Sequence, residues 1–209
     1  MHSYRGSSKF RRWETAVLIA VCVAIIAGLW LEQEQNKLSD SVLRLHVLAN
    51  SDGRADQELK LKVRDRVLQE AEAILPKNVS QSAAEQILGE NLQRLAQAGV
   101  QVVEEEGFDY PVSAALEQIW FPTKEYDDFS LPCGQYRALR IVIGEGKGQN
   151  WWCVVFPPLC LSSASEQTIE TALEYGLTDR QVALLTAESD GYVIKFKALE
   201  WLGKLKNLF

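Results

Sequence analysis

An uncharged apolar run of 17 residues, Thr15–Leu31 (TAVLIAVCVAIIAGLWL), constrains this chain of 209 residues more than any other feature. As a helix it would measure about 25 Å at about 1.5 Å per residue. That is the short edge of a membrane span and slightly long for the apolar part of a signal peptide. Arg5, Lys9, Arg11 and Arg12 precede it, against Glu14 alone. Positive charge is retained on the cytoplasmic side of a membrane, so the flank predicts a cytoplasmic N-terminus and an exported remainder. The alternative is a buried core helix, but such helices rarely run so far without a polar residue. Residues 1–31 therefore read as a basic N-terminus plus signal peptide or signal anchor. Ile25-Ile26-Ala27 is not a clean Ala-x-Ala site, while Trp30 suits an uncleaved interfacial anchor, so both fates stand.

Residues 32–209 carry 18 of the 22 Lys and Arg and 27 of the 28 Asp and Glu, a net charge of −9. Such an acidic balance argues against a nucleic-acid partner. Glu32–Asp40 reads as a polar tether and 41–209 as a single extracytoplasmic domain, long enough to bury a core. Of the four cysteines, Cys22 lies in the apolar run. Cys133, Cys153 and Cys160 would be exported, where disulfides persist.

The exported part alternates strand and helix signals. Ser41–Ala49 (SVLRLHVLA) puts Leu43, Leu45, Val47 and Ala49 on one face and Arg44 and His46 on the other, as a half-polar strand does. Asn50-Ser51-Asp52-Gly53 turns into a helix from about Arg54 to Leu75, with Leu59, Val63, Val67 and Ala71 as its stripe and Pro76 as its stop. A second helix is expected from Ser80 or Ser82 to Gly99, then a strand over Val100–Glu106 and another over Tyr110–Phe121. Tyr136–Ile143, GEGKGQ and Trp151–Phe156 read as a hairpin that Pro157-Pro158 must end. Short helices over Ser165–Tyr175 and Thr178–Ala187, a strand over Tyr192–Lys197 and a basic amphipathic helix over Ala198–Leu208 close the chain. The order predicts an α+β fold: a mostly antiparallel sheet with helices on one face, preceded by the apolar helix.

Candidate chemistry is sparse. His46 is the one histidine of the exported part, and no G-x-S-x-G or cysteine-protease pattern accompanies it. Cys153 and Cys160 are too far apart for the usual zinc pair and do not form C-x-x-C. They can close a disulfide across the Pro-Pro corner or remain two buried thiols. GEGKGQ joins two strands rather than leading into a helix, so it is a turn and not a phosphate loop. Trp151 and Trp152 are neighbours on a strand and point to opposite faces. At most one of them is a platform for cell-wall glycan, and the alternative is that both are packed. No metal, cofactor, small-molecule substrate or catalytic residue is expected.

Three stretches carry a resemblance. LRLHVLANSDGRADQELKLKVRDRVL (Leu43–Leu68), LPCGQYRALRIVIGEGKGQNWWCVVFPPLC (Leu131–Cys160) and YVIKFKALEW (Tyr192–Trp201) resemble the stage II sporulation protein R family. The resemblance implies a non-enzymatic signal made in the forespore and exported into the intermembrane space. There it activates a membrane-embedded aspartic protease of the mother cell, which processes an early sigma factor. Gly53-Arg54 and Cys133 depart from the family pattern. An Ala is usual at the latter position, which makes Cys133 the odd thiol and favours a Cys153–Cys160 disulfide. Two candidate partner-binding groups follow. The first is Arg44, His46, Asn50, Asp52, Lys60 and Arg64; the second is Trp151, Trp152, Phe156, Pro157 and Pro158. Trp and Arg are common at binding hot spots. For the first group the alternative is internal hydrogen bonding that ties strand to helix.

Overall fold

The computed structural model describes residues 13–23, 26, 39–77, 79–126, 129–159, 165–179 and 181–182. The chain divides into two units, Met1–Leu38 and Ser39–Phe209. In the first, residues 13–23 are helical (α1), and Val17, Leu18, Ile19, Val21 and Val23 are all exposed. Among the described residues no helix is long and apolar enough to cross a membrane. The rest of the expected span, and the tether to Leu38, lie largely outside the described residues.

The second unit is α+β. Its elements are β1 (Leu43–Leu48), α2 (Arg54–Ile74), α3 (Gln81–Glu90), α4 (Leu92–Glu105), β2 (Val112–Phe121), β3 (Lys124–Glu125), β4 (Ser130–Leu131), β5 (Gly134–Ile143), β6 (Asn150–Phe156) and α5 (Ser165–Glu174). Four strands form a sheet in the order β2-β5-β1-β6, and β3 and β4 form a separate two-stranded ribbon. The sheet is mixed: β1 runs parallel to β5, while β1–β6 and β2–β5 are antiparallel.

Alternation along β1 decides what lies on each side of the sheet. Leu43, Leu45 and Val47 join Leu59, Val63, Val67 and Ala71 of α2, Leu88 of α3, and Leu95, Val102 and Val103 of α4 in one core. The three helices thus share one face. Arg44 and His46 point the other way, yet they too are buried, under Phe121, Tyr136 and Trp152. A strand closed on both faces is well placed at the centre of a sheet.

Three sequence expectations are corrected. The stretch between Ser80 and Gly99 is not one helix, because Asn91 interrupts it. Its backbone N–H bonds Leu88 O at 3.1 Å, its side chain donates to Ile87 O at 2.8 Å, and its own carbonyl opens α4. Nor does Gly99 end a helix. It sits inside α4 where that helix crosses β2, and a Cβ there would meet Val112 Cγ1 at 2.9 Å. Residues 100–105 are accordingly helical rather than extended, with Glu106 as the C-cap.

The third correction concerns the hairpin. β5 and β6 are antiparallel but not neighbours, since β1 lies between them. Strands two apart are separated by roughly 10 Å, which residues 144–149 span easily. That loop folds over the end of β1: Gly148 N bonds Ala49 O at 2.9 Å, Lys147 N bonds Asn50 O at 3.2 Å, and Glu145 N bonds Asn50 Oδ1 at 3.0 Å. Gly144, with φ +58°, has no room for a side chain against Asn50. Tyr192–Lys197 and Ala198–Leu208 lie outside the described residues, as does most of Thr178–Ala187.

A candidate binding cleft

The first turns of α2 stand beside β6, and β3 stands on β6's other side. Between them lies a cleft of about 530 Å³. Arg54, Gln57, Glu58, Lys60 and Leu61 form the helical wall, Lys124, Glu125 and Tyr126 the opposite wall, and Gln149 through Trp152 the floor.

Lys60 is the unusual member. It is only 4% exposed, although a lysine normally keeps its ammonium in water. Its Nζ donates to Gln57 Oε1 at 2.6 Å and to Gln149 O at 3.0 Å, both neutral acceptors. Burial pushes its pKa below the ordinary lysine value; nearby Asp52 opposes that and Arg64 adds to it.

The two tryptophans diverge as strand neighbours must. Trp151 leans to the helical side, where the Arg64 guanidinium carbon sits 4.4 Å from its ring centre. Trp152 turns to the other side and stacks on the His46 ring at 4.0 Å, with Phe121 edge-on at 4.6 Å. Each indole is half-buried and already has a face or flank occupied. They do not make one flat platform for a sugar.

His46 backs the cleft. Its Nε2 lies 2.7 Å from Asn150 Oδ1, an oxygen that can only accept, so Nε2 carries the proton. Burial is the main cause holding its pKa below the ordinary histidine value; the Asn150 bond and Glu117 oppose it, and Arg140 adds to it. Among the described residues its Nδ1 has no hydrogen-bond partner. Neither nitrogen therefore bonds a carboxylate, serine or cysteine, as a base in a nucleophilic set would.

Arg44 lies beneath, with no exposed surface. Its Nε donates to Cys153 O at 2.9 Å and an Nη to the Tyr126 hydroxyl at 2.8 Å, while Phe121 and Tyr136 lie 4.3 and 5.0 Å from the guanidinium carbon. Tyr126 passes its own proton to Trp152 O at 3.1 Å. Burial pushes the Arg44 pKa down, and the two tyrosines counter it. This residue holds the Tyr126 wall against the floor.

The other expected residues fall elsewhere. Asn50 is bound into the turn, giving its side-chain N–H to Asp56 Oδ2 at 2.9 Å. Asp52 is exposed just before α2. Phe156, Pro157 and Pro158 are buried and present no surface. Cys153 is disulfide-bonded and Cys133 is a buried thiol; Cys160 lies outside the described residues. Tyr126, Gln57, Gln149 and Lys124 were not anticipated. None carried a local signal; Tyr126 lies in an irregular stretch that also holds Phe129 and Leu131. Among the described residues no group of three His, Cys, Asp or Glu side chains could hold a metal.

Fold and cleft together define an α+β domain with a cleft lined by aromatic and cationic side chains. The family model for stage II sporulation protein R matches residues 39–166, and the chain belongs to that family. It is 32% identical over 191 residues to the stage II sporulation protein R of Bacillus subtilis (strain 168), covering 83% of this chain and 85% of that one. No solved structure matches it. The chain has a sporulation-related role.

Proposed function

We propose that this chain is an exported signalling protein of sporulation. In this reading residues 1–31 carry it out of the forespore as a signal peptide or anchor. Its folded domain then docks on a membrane-embedded aspartic protease of the mother cell in the intermembrane space. Docking raises the protease's activity toward a sigma-factor precursor. A ligand can shift a partner between two states only through unequal affinity for them. The domain therefore has to bind the active form more tightly, which a rigid, preformed groove favours. No catalytic role is assigned to the chain itself.

The observation that carries the reading is family membership across residues 39–166. The cleft supports it by supplying Trp, Tyr and cationic side chains, the types that dominate binding energy at protein interfaces. Reconstitution in a non-sporulating host tests it. The full chain is expressed with the cognate membrane protease and its sigma precursor, and precursor cleavage is followed on a gel. Cleavage that depends on the chain is expected. A folded, exported chain that leaves the precursor intact would sink the proposal.

A further inference from the structure

The charges around the cleft do not balance. Lys60 is buried with only neutral acceptors, and these satisfy two of its three N–H donors. Behind the Tyr126 wall, Arg44 is fully buried and donates to the Cys153 carbonyl and the Tyr126 hydroxyl. On the rim, Arg54 already holds Glu58 at 2.8 Å. Burying a cation costs several kcal/mol unless an anion or a full set of hydrogen bonds offsets it. Lys60 lines the groove itself and Arg44 backs its Tyr126 wall, in a region, residues 32–209, whose net charge is −9.

We propose that the cleft receives an acidic segment of the protein partner. Its carboxylate takes the remaining N–H of Lys60, and an adjoining apolar side chain lies against Tyr126 and Trp152. The acid supplies the directly bonded countercharge that Lys60 lacks, since nearby Asp52 accepts none of its hydrogen bonds. Charge complementarity of this kind also sets register and speeds encounter. A glycan fits less well, because Trp151 and Trp152 face opposite sides of the sheet and each is already covered in part. The inference rests on the partner-binding reading but not on whether docking activates the partner.

Two readouts separate those ideas. In the reconstituted host, Lys60→Gln keeps hydrogen-bonding capacity and loses the charge. Lys124→Glu reverses a half-exposed rim charge and leaves the core untouched. Each should reduce precursor cleavage at least about 10-fold, a change of about 1.4 kcal/mol, with exported levels unchanged. Lys62→Gln, on an exposed residue paired with Glu106, should leave cleavage unaltered. In parallel, a photo-crosslinking benzoyl-phenylalanine replaces Glu125 in the full chain. It should label an outward-facing protease segment that contains Asp or Glu, and Lys60→Gln should weaken the labelling. Wild-type cleavage in both cleft variants, or labelling of a segment without acidic residues, of a muropeptide, or of nothing, would overturn the acidic-segment inference. If the acidic segment is labelled but no precursor is cut, docking stands and activation falls.

Discussion

Arg44 and Tyr126 are 82 positions apart in sequence and meet through a 2.8 Å hydrogen bond in the interior. Through it the central strand of the sheet reaches out and fixes one wall of the cleft. Tyr126 completes the chain by donating to Trp152 O at 3.1 Å. Tyr126→Phe deletes a hydroxyl that both accepts and donates, and should cost about 1 kcal/mol. Arg44→Met should cost more, about 3 kcal/mol, because it removes a buried donor from both Cys153 O and the Tyr126 hydroxyl. The two losses should not add: once Arg44 is gone, Tyr126→Phe removes less. A urea-denaturation double-mutant cycle measures this, and a coupling below about 0.3 kcal/mol would mean that the wall is not held in this way.

The acid side of the stability profile should carry the mark of His46. Its pKa in the fold lies below the ordinary 6.5, burial being the main cause. Below that pH the unfolded chain takes up a proton that the folded chain resists, so stability falls as pH drops through the region beneath 6.5 and levels off below the folded value. Asp56, held below its ordinary 3.8 chiefly by the Ser51 hydroxyl, adds a further loss only at more acidic pH. Urea midpoints at pH 7.5 and 5.5 should differ in the wild type and differ less in His46→Gln. Equal differences in both proteins would remove His46 from the account.

Two helix glycines should respond in opposite directions to alanine. At Gly99 the added Cβ meets Val112 Cγ1 at 2.9 Å and Val63 Cγ1 at 3.3 Å. Overpacking of about 1–3 kcal/mol there outweighs the roughly 1 kcal/mol gained in helix propensity. At Gly89 the nearest contact is Leu116 Cδ1 at 3.4 Å, an ordinary one, so the propensity gain prevails and stability rises by about 0.5 kcal/mol. Thermal melts of the two variants check the pair; a Gly99→Ala protein as stable as wild type would deny the tight crossing of α4 over β2.

The disulfide of Cys153 can be counted chemically. With Cys160 as its proposed partner, residues 32–209 hold one thiol, on Cys133. Alkylation of unfolded, unreduced protein should add one label, and reduction should raise that to three. Native protein should take up label slowly, since Cys133 is buried. Three labels without reduction, or a peptide linking Cys133, would refute the pairing.

Much of the α2–β1 unit was legible because its signals are local. Leu59, Val63, Val67 and Ala71 mark one face at helical spacing, and Leu43, Leu45 and Val47 mark one face of a strand. The hairpin failed because a glycine-rich loop of suitable length says nothing about which strand inserts between its arms. Val100–Glu106 failed because Gly99 looked like a helix stop, when it marks a close approach between α4 and β2. At the cleft, Lys60, Trp151 and Trp152 stood out by residue type. Tyr126 did not, since its role depends on a long-range partner. Arg44 and Asn50 invited a surface reading, and the structure assigns them internal hydrogen bonds instead.

Placing β1 between β5 and β6 governs the order in which the fold can assemble. β1 is the first strand made, but its neighbours β5 and β6 follow some 90 to 110 residues later. Contacts so distant in sequence form late, because closing the intervening loop costs entropy before any pairing offsets it. A polypeptide whose residues follow one another in order through a membrane channel therefore emerges with its central strand unmatched on either edge. It cannot assemble the sheet, or the groove at β6, until residue 156 has crossed. Under the export reading proposed above, this topology keeps the chain loose during passage and completes the sheet only on the far side. A version ending at residue 148 should stay protease-sensitive throughout.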